Sequence, residues 1–381
     1  MTNQKKIMLV FGTRPEAIKM APLAHALKSQ PELFDVQVCV TSQHRQMLDR
    51  VLKFFEITPD FDLNIMKANQ DLFEITANVL LGMRGVFATY RPDVVLVHGD
   101  TTTSMAVTLA SFYNGIPVGH VEAGLRTHNI DSPFPEEFNR QVVSKVARWH
   151  FAPTTLSLAN LLAERVKVEN ITVTGNTVID ALHWVLNRIG SDQKRSAAVV
   201  NSINQVLKFN WQSGRFILIT GHRRENFGVG FLQICEAIRE LASHYVEIQF
   251  VYPVHLNPNV QKPVRDILSR LSNVHLIEPL DYEPFVYLLK HSYMVLTDSG
   301  GIQEEAPSLG KPVLLMRDTT ERPEALDAGT VELVGANKER IFQGVSRLLE
   351  DKVHYSKMSC AHNPYGDGMA CARIVEVLRN I

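Results

Sequence analysis

Ile7-Met8-Leu9-Val10-Phe11-Gly12-Thr13-Arg14-Pro15-Glu16-Ala17-Ile18-Lys19 is a short apolar run that stops at a glycine and turns directly into a helix start. The run reads as a strand. Thr13 and Glu16 have capping-box spacing, and Pro15 suits a first helical turn. A strand leading straight into a helix is the repeating half of a parallel α/β sheet.

The same rhythm runs outward to the end of the chain. Further strands are expected at 36–41, 94–97, 116–121, 150–152 and 171–173. A second series is expected at 216–220, 248–252, 274–276, 294–297, 313–316 and 331–334, with amphipathic stretches between the runs. The predicted class is therefore doubly wound α/β. At about 150 residues per domain, 381 residues make two packed lobes more natural than one long core. The rhythm breaks over 187–213, where polar turns at 190–196 and 210–214 flank one modest helix, and the interdomain boundary is placed there. Two similar lobes, 1–190 and 191–364, are expected with a cleft between them.

Composition narrows the function. Thirty-nine Lys and Arg against 40 Asp and Glu leave a formal charge of −1, which argues against nucleic acid or an anionic membrane as the main partner. Cys39, Cys235, Cys360 and Cys371 lack metal-ligand spacing and read as buried thiols. The apolar run 7–11 is too short for a signal-peptide core, and no stretch approaches about 18 apolar residues, so a cytoplasmic protein without a membrane span is expected. A dinucleotide fingerprint is missing, because Gly12 stands alone after the first strand and Gly228 and Gly230 have no third glycine. A P-loop fails because Glu305 occupies the glycine position before Gly310-Lys311.

Ligands of open parallel sheets sit beyond the carboxyl ends of the strands, so the strand-to-helix turns carry the chemistry. Arg14 and Lys19 read equally as solvated charges at a helix start or as cations awaiting a phosphate. Asp100, in His98-Gly99-Asp100-Thr101, is a helix cap or a reactive acid. Glu122 ends an apolar strand without being a favoured cap, and Glu136 opens a helix where acids are ordinary. Three acids at one sheet edge are costly unless protons or cations are exchanged there.

The second lobe supplies the cations. His222, in Gly221-His222-Arg223-Arg224-Glu225-Asn226, lies in a turn denser in ionisable groups than structure requires. Ser299-Gly300-Gly301 follows a strand and lets backbone N–H groups approach a diphosphate, with Arg322 in reach of the same phosphates and Glu305 placed for a ribose diol. Acids on one side and a diphosphate cradle on the other point to a nucleotide sugar, with no cofactor and no metal.

The motifs at 12–16, 97–101, 120–126, 135–137, 175–177, 222–226 and 298–305 together resemble the non-hydrolysing UDP-N-acetylglucosamine 2-epimerases. The resemblance runs from the first strand to the last helix. It implies a fold like the two-lobed GT-B glycosyltransferases, with a C-terminal helix at about 365–381 returning to the first lobe, a homodimer, and service to surface polysaccharide synthesis. The implied reaction interconverts UDP-GlcNAc and UDP-ManNAc through loss of UDP to 2-acetamidoglucal. Asp100, Glu122, Glu136 and His222 match functional positions of the family. Arg14, Lys19, Ser299, Gly300, Gly301 and Arg322 would hold the diphosphate, Glu305 the ribose, and Phe285 the uracil. Gln43, Gln46, Glu136, Arg223 and His255 match a second, activating UDP-GlcNAc site, although Asn69 stands where some members carry arginine. The competing readings are a UDP-GlcNAc-dependent glycosyltransferase, a hydrolysing epimerase that frees ManNAc, and a catalytically silent nucleotide-sugar-binding or regulatory protein.

Overall fold

Strand β1 (Lys5–Phe11) is buried at each of its last five positions, as a strand covered by helices on both faces must be. In the computed structural model, which describes residues 4–43, 45–67 and 70–381, it is an interior strand of the first of two sheets. The other strands of that sheet are β2 (Phe34–Val40), β3 (Phe61–Asp62), β4 (Val94–His98), β5 (Val118–Val121), β6 (Trp149–Ala152) and β7 (Ile171–Val173). Their order is β3-β2-β1-β4-β5-β6-β7, and each pairing is parallel. The order reverses between β1 and β4, the kind of switch point beside which ligands of such sheets sit.

The second sheet contains β8 (Phe216–Thr220), β9 (Gln249–Pro253), β10 (Val274–Ile277), β11 (Met294–Thr297), β12 (Val313–Leu315) and β13 (Val331–Leu333). Its order is β10-β9-β8-β11-β12-β13, again parallel, with the reversal between β8 and β11. The chain forms two compact units, Met1–Ala181 with Tyr365–Ile381, and Leu182–Pro364. Both are doubly wound α/β layers of the Rossmann kind.

The last helix, Ala370–Arg379, belongs to the first unit. Asp180 accepts hydrogen bonds from the Ala370 and Cys371 N–H groups at 3.1 and 2.9 Å, filling two of the donors that a helix start leaves open. At its other end Lys5 Nζ donates to the Leu378 and Arg379 carbonyls.

Three local expectations are corrected. The two-residue edge strand β3 has too short a run to show a period. The expected turn at 190–196 is a helix junction: one helix covers Thr177–Ser191, and Asp192 caps the next, Gln193–Val206, through the Lys194 and Arg195 N–H groups. Cys360 is exposed, while the other three thiols are buried. Helix Leu72–Thr89 is, by length and composition, apolar enough to cross a membrane. Its Ile75, Val79, Met83, Val86 and Phe87 enter the core of the first unit, whereas Phe73 and Leu81 are exposed.

Candidate active site

In the first unit the parallel register sets His98, the last residue of β4, opposite Val121, the last of β5. Asp100 and Glu122 therefore leave adjacent strands at the same edge. Glu122 is 9 % exposed and has φ +64°, a left-handed conformation unfavourable for a residue with a Cβ. Its carboxylate pairs with Lys19 Nζ, accepts from Asn176 Nδ2 at 2.7 Å and lies 3.5 Å from His98 Nε2. Lys19, expected beside a phosphate, is thus already engaged with an acid.

Asp100 is held from the helix Glu136–Val146. Arg140 donates to Asp100 Oδ2 from Nε and Nη2 at 3.0 and 2.7 Å, and Asn139 Nδ2 donates to the Asp100 carbonyl at 2.8 Å. Glu136 precedes Asn139 and Arg140 by three and four residues, so it shares their helix face. The three predicted acids therefore gather at one edge of the first sheet. Glu136 is half-buried, and its side chain forms no hydrogen bond or ion pair among the described residues.

Its neighbour Glu137 is fully buried and accepts from Thr127 N–H, Arg140 and Gln141. Burial alone would raise its carboxyl, but these donors outweigh it and hold the group below its ordinary value. Behind the edge, His120 and His150 are register partners on β5 and β6. Burial pushes them down to about 3 and about 4.

The turn after β1 is fixed by Glu16, which accepts from the Gly12 and Thr13 N–H groups at 3.0 and 2.8 Å and from Thr101 Oγ1 at 2.7 Å. A Cβ on Gly12 would fall 2.0 Å from Thr41 Oγ1, so only glycine fits. Arg14, first in the helix Arg14–Lys28, is half-buried beside this turn.

In the second unit the turns after β8 and β11, the two strands at the order reversal, are joined by Asp298. Its carboxylate is fully buried, and Oδ2 accepts from the His222 and Arg223 N–H groups, both at 2.8 Å, and from Asn226 Nδ2 at 3.3 Å. The His222 ring stacks on His255 at 5.2 Å. Desolvation lowers the imidazole below its ordinary value although 42 % of the side chain is exposed; Asp298 opposes the shift, and His255 and Arg223 add to it.

Ser299, Gly300 and Gly301 follow directly. A Cβ on Gly300 would meet Arg322 Nη1 at 2.9 Å, so the glycine lets that guanidinium close on the turn. Arg322 bonds Glu304 and Glu321, and Arg317 links Glu321 to Glu225. Burial would raise the Glu321 carboxyl, but the two guanidiniums bring it down to about 2. Glu305 is buried and accepts from the Tyr282 hydroxyl at 2.9 Å. Phe285 is half-buried in helix Tyr282–His291. Of the expected activating site, Gln43 accepts from Thr103 Oγ1 at 3.4 Å, His255 and Arg223 flank His222, and Asn69 and the Gln46 side chain lie outside the described residues. Among the described residues no group of three or more His, Cys, Asp or Glu is arranged to hold a metal ion.

The family model described as UDP-N-acetylglucosamine 2-epimerase matches residues 25–379. The UDP-N-acetylglucosamine 2-epimerase of Escherichia coli K12 is 58 % identical over 98 % of both chains. The chain belongs to the UDP-N-acetylglucosamine 2-epimerase family. A crystal structure of the Neisseria meningitidis UDP-GlcNAc 2-epimerase bound to UDP-GlcNAc superposes with a TM-score of 0.91 at 52 % identity, covering 99 % of this chain and 100 % of that one. A glycosyltransferase of kitacinnamycin, 12 % identical with a TM-score of 0.65 over 98 % of this chain and 99 % of that one, shares the fold alone, which places this epimerase-family chain among the GT-B-like folds.

Several residues of this family member escaped the sequence reading. Asn139 and Arg140 carried a signal, their spacing from Glu136. Asp298 carried another, an acid directly after an apolar strand and before Ser-Gly-Gly. The roles of Asn176 and His98 depend on which strands are neighbours, and nothing in the sequence reports that.

Proposed function

We propose that the chain interconverts UDP-GlcNAc and UDP-ManNAc at C2 of the sugar, supplying the activated ManNAc for surface polysaccharide assembly. The observation that carries this reading is the gathering of Asp100, Glu122 and Glu136 at one sheet edge of a chain whose second unit carries the Ser299–Gly301 turn. The C2 hydrogen is not next to a carbonyl, so a free carbanion there is inaccessible. Loss of UDP solves this: one carboxylate takes the C2 proton, the C2–H electrons form the C1=C2 bond, and the C1–O electrons leave with UDP. The product, 2-acetamidoglucal, then takes a proton at C2 on its other face while a UDP oxygen returns to C1. Two faces need two acid–base groups, and a third carboxylate supports positive charge at C1.

In this proposal the second unit holds the leaving group. The Gly300 N–H and the Ser299 hydroxyl, with Arg322 and His222, take the diphosphate, Gly301 leaves room for it, Glu305 takes the ribose and Phe285 lies beside uracil. Lys19 acts through Glu122, which it fixes in place. A second UDP-GlcNAc is proposed as activator, with Arg223 and His255 of the second unit as its candidate contacts. A homodimer is proposed from the exposed Phe73 and Leu81 of helix Leu72–Thr89 together with Phe112 and Tyr113 of the neighbouring helix Thr102–Tyr113.

Incubation with UDP-GlcNAc in heavy water tests the reaction. The expected result is UDP-ManNAc with deuterium at C2 of both sugars. Release of free ManNAc without UDP-ManNAc would establish the hydrolysing reaction instead, and a C2 that stays protonated would end the epimerase reading. Pure UDP-ManNAc should turn over only after a lag or after added UDP-GlcNAc; immediate turnover would remove the activating site.

A further inference from the structure

Asp298 has two carboxylate oxygens with unequal fates. Oδ2 is saturated by the three donors from the turn after β8. Oδ1 is equally buried and has no hydrogen-bond partner. A buried, unmatched carboxylate oxygen is strongly unfavourable unless a donor comes to it. The donor beside it is His222 Nδ1, at 3.7 Å, too long for a hydrogen bond but closed by a small ring movement of the kind that ligand binding brings. His222 is free to make that movement, because 42 % of its side chain is exposed and its ring rests on the exposed His255. Asp298 is fixed from below by backbone N–H groups and is not.

We infer that Asp298 is the positioning residue for His222: Oδ1 holds the proton on Nδ1, turns Nε2 outward, and supplies the charge that lets the ring carry a second proton when a diphosphate arrives. The resulting imidazolium donates one N–H to the buried carboxylate and the other to the phosphate oxygen on which negative charge grows as the sugar bond breaks. No proton need pass to UDP; the ring holds it throughout. The groups that bear on this charge are Asp298, which favours it, and His255 and Arg223, which oppose it. The inference rests on the proposed epimerase reaction for its catalytic meaning, and its first readout stands apart from it.

Asp298→Asn separates positioning from scaffolding. The amide oxygen must still accept the His222 and Arg223 N–H groups, so its NH2 is left facing His222 Nδ1, and an amide donor there forces the proton onto Nε2. In 15N NMR of histidine-labelled protein, with His222 assigned through H222Q, the wild type is expected to show a protonated Nδ1 and a bare Nε2. Added UDP should protonate both nitrogens. D298N should show the opposite tautomer and stay singly protonated with UDP. Its kcat for C2 exchange should fall about 100-fold with KM within about threefold. A bare Nδ1 in the wild type, or one tautomer shared by both proteins, overturns the inference. So does wild-type kcat in D298N. Should D298N fail to fold, the wild-type spectra with and without UDP still decide. Absence of C2 exchange in the wild type would remove the epimerase reading and leave the tautomer result standing.

Discussion

Glu136 and Glu137 are neighbours in the chain with opposite surroundings, one half-buried with no side-chain bond among the described residues, the other sealed beneath three donors. The contrast predicts opposite phenotypes. Glu136→Gln should lower kcat by about 100-fold or more and leave stability within about 0.5 kcal/mol. Glu137→Gln should cost about 2 kcal/mol of stability, because a donor NH2 replaces an acceptor among buried N–H groups. Paired denaturant melts and steady-state rates check both; an active, stable Glu136→Gln would remove Glu136 from the chemistry. At this scale the sequence was most informative about residues that chemistry needs and least about residues that hold them. A carboxylate at the end of an apolar strand, such as Glu122, is visible because nothing structural calls for it. Its partners Lys19, Asn176 and His98 come from three other segments, and their convergence is a property of strand order.

Strands β5 and β6 place His120 against His150 in a layer that water does not reach. Both rings are neutral in the folded chain well below the ordinary histidine range, whereas the unfolded chain takes up its protons near pH 6.5. Their contribution to stability is therefore present above about pH 6.5 and is lost as the pH falls toward the folded values of about 4 for His150 and about 3 for His120. His150→Phe removes one of these sites. Between pH 6.5 and 4 it should lose about 3 kcal/mol less stability than the wild type, measured by urea midpoints across that range; parallel pH curves would contradict it. Element existence was readable here because each strand is a short apolar run bounded by turn residues. The edge strand β3 was not, since two residues have no period. Nor was the helix junction at Asp192, where a polar stretch that looks like a loop continues one helix to Ser191 and caps the next.

Across the whole molecule, Phe73 is 85 % and Tyr113 74 % exposed, on helices whose other faces are in the core of the first unit. The proposed homodimer would take these large apolar side chains out of water. Phe73→Glu combined with Leu81→Glu should halve the mass seen in analytical ultracentrifugation without altering the melting of the single chain; an unchanged mass would move the interface elsewhere. The doubly wound class was legible from rhythm alone, while the sheet orders and the switch points beside Gly12 and Asp298 were not, because parallel strands far apart in the chain carry no mark of adjacency.

Asp180 draws the last helix back to the unit that the first strand began, and this has a consequence for biosynthesis. The ribosome releases Leu182–Pro364 as one uninterrupted piece, but the other unit must wait for Tyr365–Ile381 before it is whole. The half that emerges first is thus the half completed last, and a released chain truncated before Tyr365 should expose an unfinished surface around Asp180 and Gly175 to chaperones while its later half is resistant to protease.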